Sequence, residues 1–136
     1  MKIGIVGLGC VGNANKFGFE YINHEVFTHD IKHNTSIDSV LHTEIVFICV
    51  PTPMGDDNRC DTSIVESVIV DLIEKEFMGI IAIRSTVTPG FTCKMQIKYQ
   101  NPKICFCPEF LRERCATEDF IDNHELLAIG TTHDDA

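Results

Sequence analysis

The chain opens, after its first methionine, with the stretch KIGIVGLGCVGNANKFGFEY at residues 2–21. It begins with Ile3–Val6, an apolar run of strand length. Three glycines follow at the spacing G-x-G-x-x-G, namely Gly7, Gly9 and Gly12. Three further side chains recur at the spacing of one helical face, namely Ala14, Phe17 and Tyr21. The stretch therefore predicts a strand, a tight glycine turn and a helix, in that order.

This order of elements is the dinucleotide-binding fingerprint, which is far more specific than a lone run of glycines. Gly7 permits the tight turn, Gly9 lets the backbone approach a pyrophosphate, and Gly12 lets the helix pack close to the strand. The N–H groups at Cys10 and Val11 open the helix, where the helix dipole favours an anion. These five residues are predicted to bind the cofactor.

Asp30 lies eighteen residues beyond Gly12, at the end of the second strand pattern, Glu25–His29. An acid at this place accepts hydrogen bonds from the hydroxyls of the adenosine ribose and repels a 2′-phosphate. NAD is therefore predicted as the cofactor in preference to NADP. His29 and His33 are four residues apart but have no third ligand nearby, so we predict no metal site.

Short apolar runs recur along the whole chain. They are Ile3–Val6, Val26–Phe27, Ile45–Val50, Ile80–Ile83, Ile104–Phe106 and Leu126–Ile129. An apolar stripe between the third and fourth runs, from Ile64 to Ile73, predicts a helix, and Ser63 with Glu66 resembles a capping box. Apolar strands that alternate with helices predict an α/β fold with a doubly wound, mainly parallel, Rossmann-like sheet, and residues 1–136 form one domain.

Three later segments each follow an apolar run, at the sheet edge where open α/β sheets bind ligands. They are Val50–Pro53, Arg84–Gly90 and Cys107–Glu113. In the first of them the prolines stiffen the turn and leave the Thr52 hydroxyl available to a ligand. The three segments are predicted to face one crevice.

The overall composition excludes several classes of function. Eleven basic against twenty acidic residues give a formal net charge of −9, which disfavours nucleic acid and anionic membranes as partners. The apolar runs are too short to span a membrane and no signal peptide is evident, so a cytoplasmic location is predicted. The seven cysteines include no C-x-x-C pair, which indicates reduced and mostly packed thiols.

Four motifs in a fixed order resemble the NAD-binding domain of the UDP-glucose/GDP-mannose dehydrogenase family. They are G-x-G-x-V-G at 7–12, V-P-T-P at 50–53, S-T-V-x-P-G at 85–90 and P-E-F-L-R-E at 108–113. Residues 116–120, with a following strand that ends at Ile129 and Gly130, fit the same pattern. Members of this family oxidise C6 of a nucleotide sugar from alcohol to carboxylate with two NAD molecules, through a thioester on a cysteine.

The resemblance implies a role for each matching residue. Pro51, Thr52 and Thr86 would contact NAD, and Thr86 would also act in catalysis. Glu109 would lie beside the reacting carbon, where a carboxylate handles protons or orients the hydrolytic water. The residues implied to line the sugar side of the cleft are Glu109, Phe110, Leu111, Arg112 and Glu113. UDP-glucose is the substrate expected first, with GDP-mannose and UDP-N-acetyl sugars left open.

The chain also departs from the family pattern. The family's cysteine nucleophile, its catalytic lysine and its C-terminal substrate domain lie beyond residue 136, so the chain is expected to be catalytically incomplete alone. Cys107 stands where the family has Asn, Arg114 where it has Gly, and Thr35 where it has Lys. No group near Cys107 in the sequence would activate it, so it is not assigned as a substitute nucleophile.

Two other readings stay open at this point. The chain could be a stand-alone NAD(H)-binding module without catalysis, or a β-hydroxyacid dehydrogenase, although the string at 108–113 argues against the latter. A separate chain that carries the C-terminal half is one expected partner. An apolar docking face is also expected, which would cause self-association unless a partner covers it.

Overall fold

Five parallel strands form one sheet in the computed structural model, which describes residues 1–56, 58–123 and 126–131. The strands are β1 (Lys2–Val6), β2 (Glu25–His29), β3 (Ile45–Ile48), β4 (Ile80–Ile83) and β5 (Ile104–Phe106). Their order across the sheet is β2-β1-β3-β4-β5. Ile3 lies opposite Val26 on one side and Ile45 on the other, so β1 is central. Burial on both faces explains why β3, β4 and β5 are continuous apolar runs, whereas the edge strand β2 is only half-buried and contains polar residues.

Helices join the parallel strands and cover both faces of the sheet. They are α1 (Cys10–Tyr21), α2 (Ser63–Glu74), α3 (Phe91–Tyr99) and α4 (Ala116–Ile121), and 3₁₀ turns span Ile31–His33, Ile37–Val40 and Glu113–Cys115. On one face the buried stripe of α2, which includes Val65, Ile69 and Leu72, packs over Ile48 and Ile81. The larger core of the domain is on this face.

The opposite face is covered by α1 and α4, which pack against each other. A Cβ atom at Gly18 would lie 2.1 Å from the ring of Phe120, so the missing side chain lets the two helices approach closely. Phe19 stacks on Phe47 with ring centroids 5.2 Å apart, and Phe120 meets Phe19 edge-on. The aromatic cluster thereby fixes α4 next to the helix that follows the glycine turn.

The sheet order reverses direction at β1. The chain passes from β1 to β2 on one side, and then crosses to β3 on the other side. A crevice opens at such a switch point, outside the carboxyl ends of the strands, and it holds the ligand in doubly wound folds. The glycine turn and the residues after β3 both lie at this crevice. The predicted α/β class, parallel sheet and single domain are confirmed.

Two sequence-based expectations about elements are wrong. The run Leu126–Ile129 forms no strand, and only Gly130 makes an isolated antiparallel bridge to Phe106. The capping box is also absent, because Thr62 is the N-cap of α2 and its side chain makes no cap hydrogen bond. Glu66, the expected partner within that box, instead binds Lys98 and accepts a hydrogen bond from the Tyr99 hydroxyl on α3.

The packing of some apolar and sulfur-bearing side chains also differs from expectation. Phe17 and Tyr21 are exposed and stack on each other, because α1 buries its other side, with Ala14 and Gly18, instead. All seven cysteines are free. Two are buried and three half-buried, but Cys10 and Cys93 are exposed, so the expectation of mostly packed thiols holds only in part.

Candidate functional site: a dinucleotide cleft and an adjoining apolar cleft

The turn after β1 needs each of its glycines for a different reason. Gly7 has φ +92°, a left-handed conformation that disfavours any side chain. A Cβ atom at Gly12 would lie 1.9 Å from the Gly7 carbonyl oxygen, so only glycine lets α1 start this close to the strand. A Cβ atom at Gly9 would meet nothing within 4 Å. The space in front of Gly9 is therefore open to a ligand.

The amino end of α1 faces this open space. Gly9 is the N-cap of the helix, no side chain caps it, and the first turn contains no acidic residue. Backbone N–H groups at such an end carry partial positive charge and lack helical partners, which suits a phosphate. Cys10 and Val11, at the start of the helix, line the cleft, whereas Gly12 lies behind the turn and acts through packing.

Asp30 is joined directly to the glycine turn. Its Oδ2 accepts a 2.7 Å hydrogen bond from the Leu8 N–H, and its Oδ1 accepts one of 2.7 Å from the Lys32 N–H. These bonds, with Leu8 the larger contributor, hold the pKa of the Asp30 carboxyl below its usual range. The carboxylate keeps unused lone pairs for ribose hydroxyls, and its charge repels a 2′-phosphate.

A cleft of about 660 Å³ joins this end of the site to the later loops. The predicted cofactor residues that line it are Gly7, Gly9, Cys10, Val11, Asp30, Pro51, Thr52 and Thr86. Glu109 lines its far end. Parallel strands bring these segments together because their carboxyl ends meet at one edge of the sheet. Open space at Gly9, a bare helix end and an ionised acid all fit a dinucleotide.

The loop that follows β5 separates this cleft from a second one. Glu109 lines both clefts, and its Oε2 accepts a 2.6 Å hydrogen bond from the Leu111 N–H, which fixes the carboxylate within its own loop. Phe110 and Leu111 line only the second cleft. Glu113 lines neither, although its carbonyl oxygen accepts a hydrogen bond from the Cys10 thiol at 3.4 Å. The last contact joins the loop to the start of α1.

Arg112 also borders the second cleft, but its guanidinium is already engaged. Nε and Nη2 donate to the two oxygens of Asp119 at 2.9 and 2.7 Å, and the Arg112 N–H donates to Asp119 as well. The ion pair keeps the pKa of the Asp119 carboxyl well below its usual range. The Arg112–Asp119 pair, which we call the clamp, thus fastens the loop after β5 to α4.

The second cleft, which we call the apolar cleft, measures about 610 Å³. Its floor is the uncovered part of the sheet, with Phe47, Ala82 and Cys105, and its rim includes Phe110 and Leu126. Phe110 is 66% exposed and Leu126 is 65% exposed. This is the apolar face that the sequence led us to expect.

The sequence placed Arg84 in a segment that faces the crevice but gave its side chain no role; among the described residues, Arg84 and Glu109 are the side chains that line both clefts. It continues the row of Ile80 and Ala82 on one face of β4, since alternate residues share a face. Its Nη1 donates to the Cys107 sulfur at 3.3 Å, a contact that the sequence did not predict. The sequence did contain a signal for this position: Ile80, Ala82 and Arg84 are alternate residues of one strand face, and the last of them is charged.

Two further classes of site find no support in the described part of the chain. No group of three or more His, Cys, Asp or Glu side chains there could hold a metal ion. His29 is half-buried and lies 3.2 Å from the Thr35 hydroxyl, whereas His33 is exposed. Every helix within residues 1–56, 58–123 and 126–131 is too short or too polar to cross a bilayer.

Comparison with known proteins defines the class to which this site belongs. Residues 32–136 match the model of the UDP-glucose/GDP-mannose dehydrogenase family, NAD binding domain. The UDP-glucose 6-dehydrogenases of Streptococcus pneumoniae and Campylobacter jejuni are 30% and 32% identical to the chain over 86% and 88% of its length. The chain therefore belongs to the UDP-glucose/GDP-mannose dehydrogenase family, and its cofactor is NAD.

Solved structures agree on the fold. The GDP-mannose dehydrogenase of Pseudomonas aeruginosa covers 99% of the chain with a TM-score of 0.84 and 24% identity. A UDP-glucose dehydrogenase from Pyrobaculum islandicum covers 98% with a TM-score of 0.85 and 22% identity. The chain covers 42% and 41% of those two structures, and 30% and 39% of the two curated relatives.

Proposed function

We propose that this chain is the cofactor-binding part of a nucleotide-sugar 6-dehydrogenase that oxidises a C6 alcohol to a carboxylate with two NAD molecules. The single observation that carries the proposal is one cleft that runs from Gly9 and Asp30 to Thr86 and Glu109. UDP-glucose is the proposed substrate, because both curated relatives described above are UDP-glucose 6-dehydrogenases. NAD, when bound, supplies the hydride acceptor.

The chain's own residues bind and orient the cofactor. The N–H groups at the start of α1 bind the pyrophosphate, and Asp30 binds the adenosine ribose through its remaining lone pairs. The hydrogen bond from Leu8 to Asp30 couples these two contacts, since the same carboxylate that meets the ribose also holds the glycine turn. Thr52 and Thr86 then contact the other half of the dinucleotide further along the cleft.

Glu109 is the residue placed to act on the sugar. It borders both clefts, and the Leu111 N–H fixes one of its oxygens, which leaves the other to orient a water molecule or accept a proton. Thr86, on the cofactor side, supplies a hydroxyl for that water. Phe110 and Leu111 supply apolar contacts on the sugar side.

The covalent step of the proposed oxidation requires catalytic groups other than the residues described above. We include in the proposal that the nucleophilic cysteine and the catalytic lysine come from a C-terminal part, either in the same polypeptide or in a separate chain. The two relatives are each about three times as long as this chain, since aligned stretches of 121 and 153 residues make up 30% and 39% of their lengths. Without those groups the chain binds NAD and does not release NADH.

The proposal is tested by calorimetric titration with NAD and NADP, followed by an assay of NADH release with UDP-glucose. The assay is run on the chain alone and on a chimera in which the chain replaces the matching part of the S. pneumoniae relative. We expect NAD binding without turnover by the chain and turnover by the chimera. No binding of NAD would overturn the proposal. Binding of NAD without turnover in a folded chimera would favour the stand-alone module.

A further inference from the structure

Arg84 is a buried cation at the junction of the two clefts. The residue is only 8% exposed, and within residues 1–56, 58–123 and 126–131 no carboxylate forms a salt bridge with it. Its Nε is buried as well, so that edge of the guanidinium is closed to a ligand. A buried charge is costly unless the surrounding groups compensate for it. The role of Arg84 therefore follows from the groups that its guanidinium contacts within the protein.

Side chains from three other segments meet the Arg84 guanidinium. Its Cζ lies 5.9 Å from the ring centroid of Phe47 on β3 and 5.7 Å from that of Phe120 on α4. Its Nη1 donates a 3.3 Å hydrogen bond to the sulfur of Cys107, the residue that follows β5. The two cation–π contacts offset part of the desolvation cost of the charge. The guanidinium thus joins the end of β4 to β3, to α4 and to the end of β5.

The contact with Cys107 fixes the first end of the loop of residues 108–113. The Cys107 N–H donates to the Ile83 carbonyl oxygen at 2.9 Å, so the main chain and the side chain of Cys107 are both tied to the end of β4. Pro108 comes next, and its ring fixes φ, which limits the freedom of the chain before Glu109. The start of the loop is therefore held by the strand that leads to Arg84.

The far end of the same loop is held by the clamp. Asp119 of the clamp and Phe120 are neighbouring residues of α4. One end of the loop is therefore attached to α4 through Arg84 and Phe120, and the other end through Arg112 and Asp119. These contacts close a ring that consists of the end of β4, the loop and α4. Glu109 lies within this ring, and it lines both clefts as Arg84 does.

We infer that Arg84 is a positioning residue that holds Glu109 at the junction of the two clefts, acting through Cys107 and Phe120. The inference rests on the proposed function, in which Glu109 acts on the sugar. Thr86 follows Arg84 by two places, so Arg84 connects the two segments that carry the proposed catalytic residues. A small displacement of a catalytic group slows the chemical step far more than it weakens binding of the substrate. Loss of Arg84 should therefore act on the rate.

The first test follows the position of Glu109 in the 136-residue chain by nuclear magnetic resonance, without turnover. The Leu111 N–H donates to Glu109 Oε2 at 2.6 Å, so the signal of the Leu111 amide reports on that carboxylate. Arg84→Met removes the charge and the hydrogen bond to the loop but keeps an unbranched side chain. We expect the Leu111 signal to shift and its exchange with solvent to become about tenfold faster or more, as loss of a hydrogen bond to a charged group causes.

Matched variants show whether the effect passes through Cys107. Cys107→Ala removes the acceptor and should change the Leu111 signal in the same direction, whereas Cys107→Ser and Arg84→Lys keep an acceptor or a cation and should stay closer to the wild type. In a double-mutant cycle, Cys107→Ala should add little to Arg84→Met. Lys16→Met removes an exposed charge from α1 and should leave the signal unchanged. Circular dichroism shows whether each variant is folded, and Cys107→Ala carries the test if Arg84→Met is not.

The second test measures rates in the chimera described above. Arg84→Met should lower kcat about tenfold or more and change KM for UDP-glucose by less than about twofold, and Arg84→Lys should recover part of kcat. A wild-type Leu111 signal in Cys107→Ala, or a raised KM with unchanged kcat in Arg84→Met, overturns the inference. A wild-type chimera without turnover counts against the proposed function instead, and the Leu111 signal then decides whether Arg84 holds Glu109.

Discussion

At the scale of single residues, two glycines of the same turn serve different purposes. Gly12 is required by packing, since a Cβ atom there would lie 1.9 Å from a backbone oxygen, whereas Gly9 borders open space. We expect Gly12→Ala to lower the free energy of unfolding by about 2 kcal/mol, as overpacking does, and to weaken NAD binding. Gly9→Ala should leave unfolding unchanged and still weaken NAD binding. Denaturant unfolding and calorimetry check both variants, and equal stability losses would contradict the distinction.

Asp30 acts at the same scale by two routes. Its carboxylate holds the Leu8 amide and, in the proposed function, also binds the ribose, so Asp30→Asn should lower the affinity for NAD about tenfold or more. Loss of the negative charge should lower the affinity for NADP much less, so the ratio of NAD affinity to NADP affinity should fall. Calorimetric titration of both cofactors measures the ratio. Asp122→Asn, at an exposed position after α4, is the matched control, and a similar loss there would rule out a specific role for Asp30.

At the scale of elements, the clamp between Arg112 and Asp119 fastens the loop of residues 108–113 to α4. Asp119 is buried and accepts three hydrogen bonds from Arg112, one of them from its main chain. Because α4 also packs on α1 through Phe120 and Gly18, the clamp connects the loop after β5 to the helix that follows the glycine turn. Glu109 therefore depends for its position on a residue ten places further along the chain.

The clamp gives the domain a specific sensitivity to acid. Folding lowers the pKa of Asp119, so its stabilising effect is complete above the unfolded value of about 3.9 and is lost as the pH falls toward the folded value. We expect the wild-type chain to lose stability progressively below about pH 4. In Asp119→Asn the stability at pH 7 should be lower and the fall below pH 4 shallower. Urea unfolding between pH 7 and pH 2.5 measures both, and parallel curves for the two proteins would contradict the prediction.

At the scale of the whole molecule, the apolar cleft is a surface that a single chain leaves open. Leu126 and Leu127 are 65% and 64% exposed and lie on the rim that Phe110 shares. We expect a second copy of the chain to cover this face at high concentration, because contiguous exposed apolar surface drives association. Leu127→Glu should shift the sedimentation equilibrium toward the monomer. Met78→Glu, at a residue that is 76% exposed and outside this cleft, should have no such effect. Unchanged association in Leu127→Glu would contradict the assignment of this face.

Local patterns in the sequence were sufficient for the first half of the site. The glycine spacing requires particular backbone conformations, and apolar runs on both faces require a parallel sheet, so the turn at Gly7–Gly12 and the place of Asp30 could be predicted together. The apolar runs that precede Arg84–Gly90 and Cys107–Glu113 placed Thr86 and Glu109 at the same edge of the sheet, and resemblance to the family then supplied their roles. Their chemical roles remain predictions.

Tertiary packing decided the rest. Pairing between distant residues directed Glu66 to Lys98 and Tyr99 in place of the helix cap that local spacing favoured, and it directed the Arg112 guanidinium to Asp119. The contacts of Arg84 were equally hidden, because Phe47, Phe120 and Cys107 meet its guanidinium only in three dimensions. The periodicity of apolar residues predicts which face of a strand or helix a residue occupies. Which side chain it pairs with depends on how the helices and loops pack over the sheet. The sequence alone therefore determined the fold and the cofactor end of the cleft, and only the tertiary structure determined which charged groups remain available to a ligand.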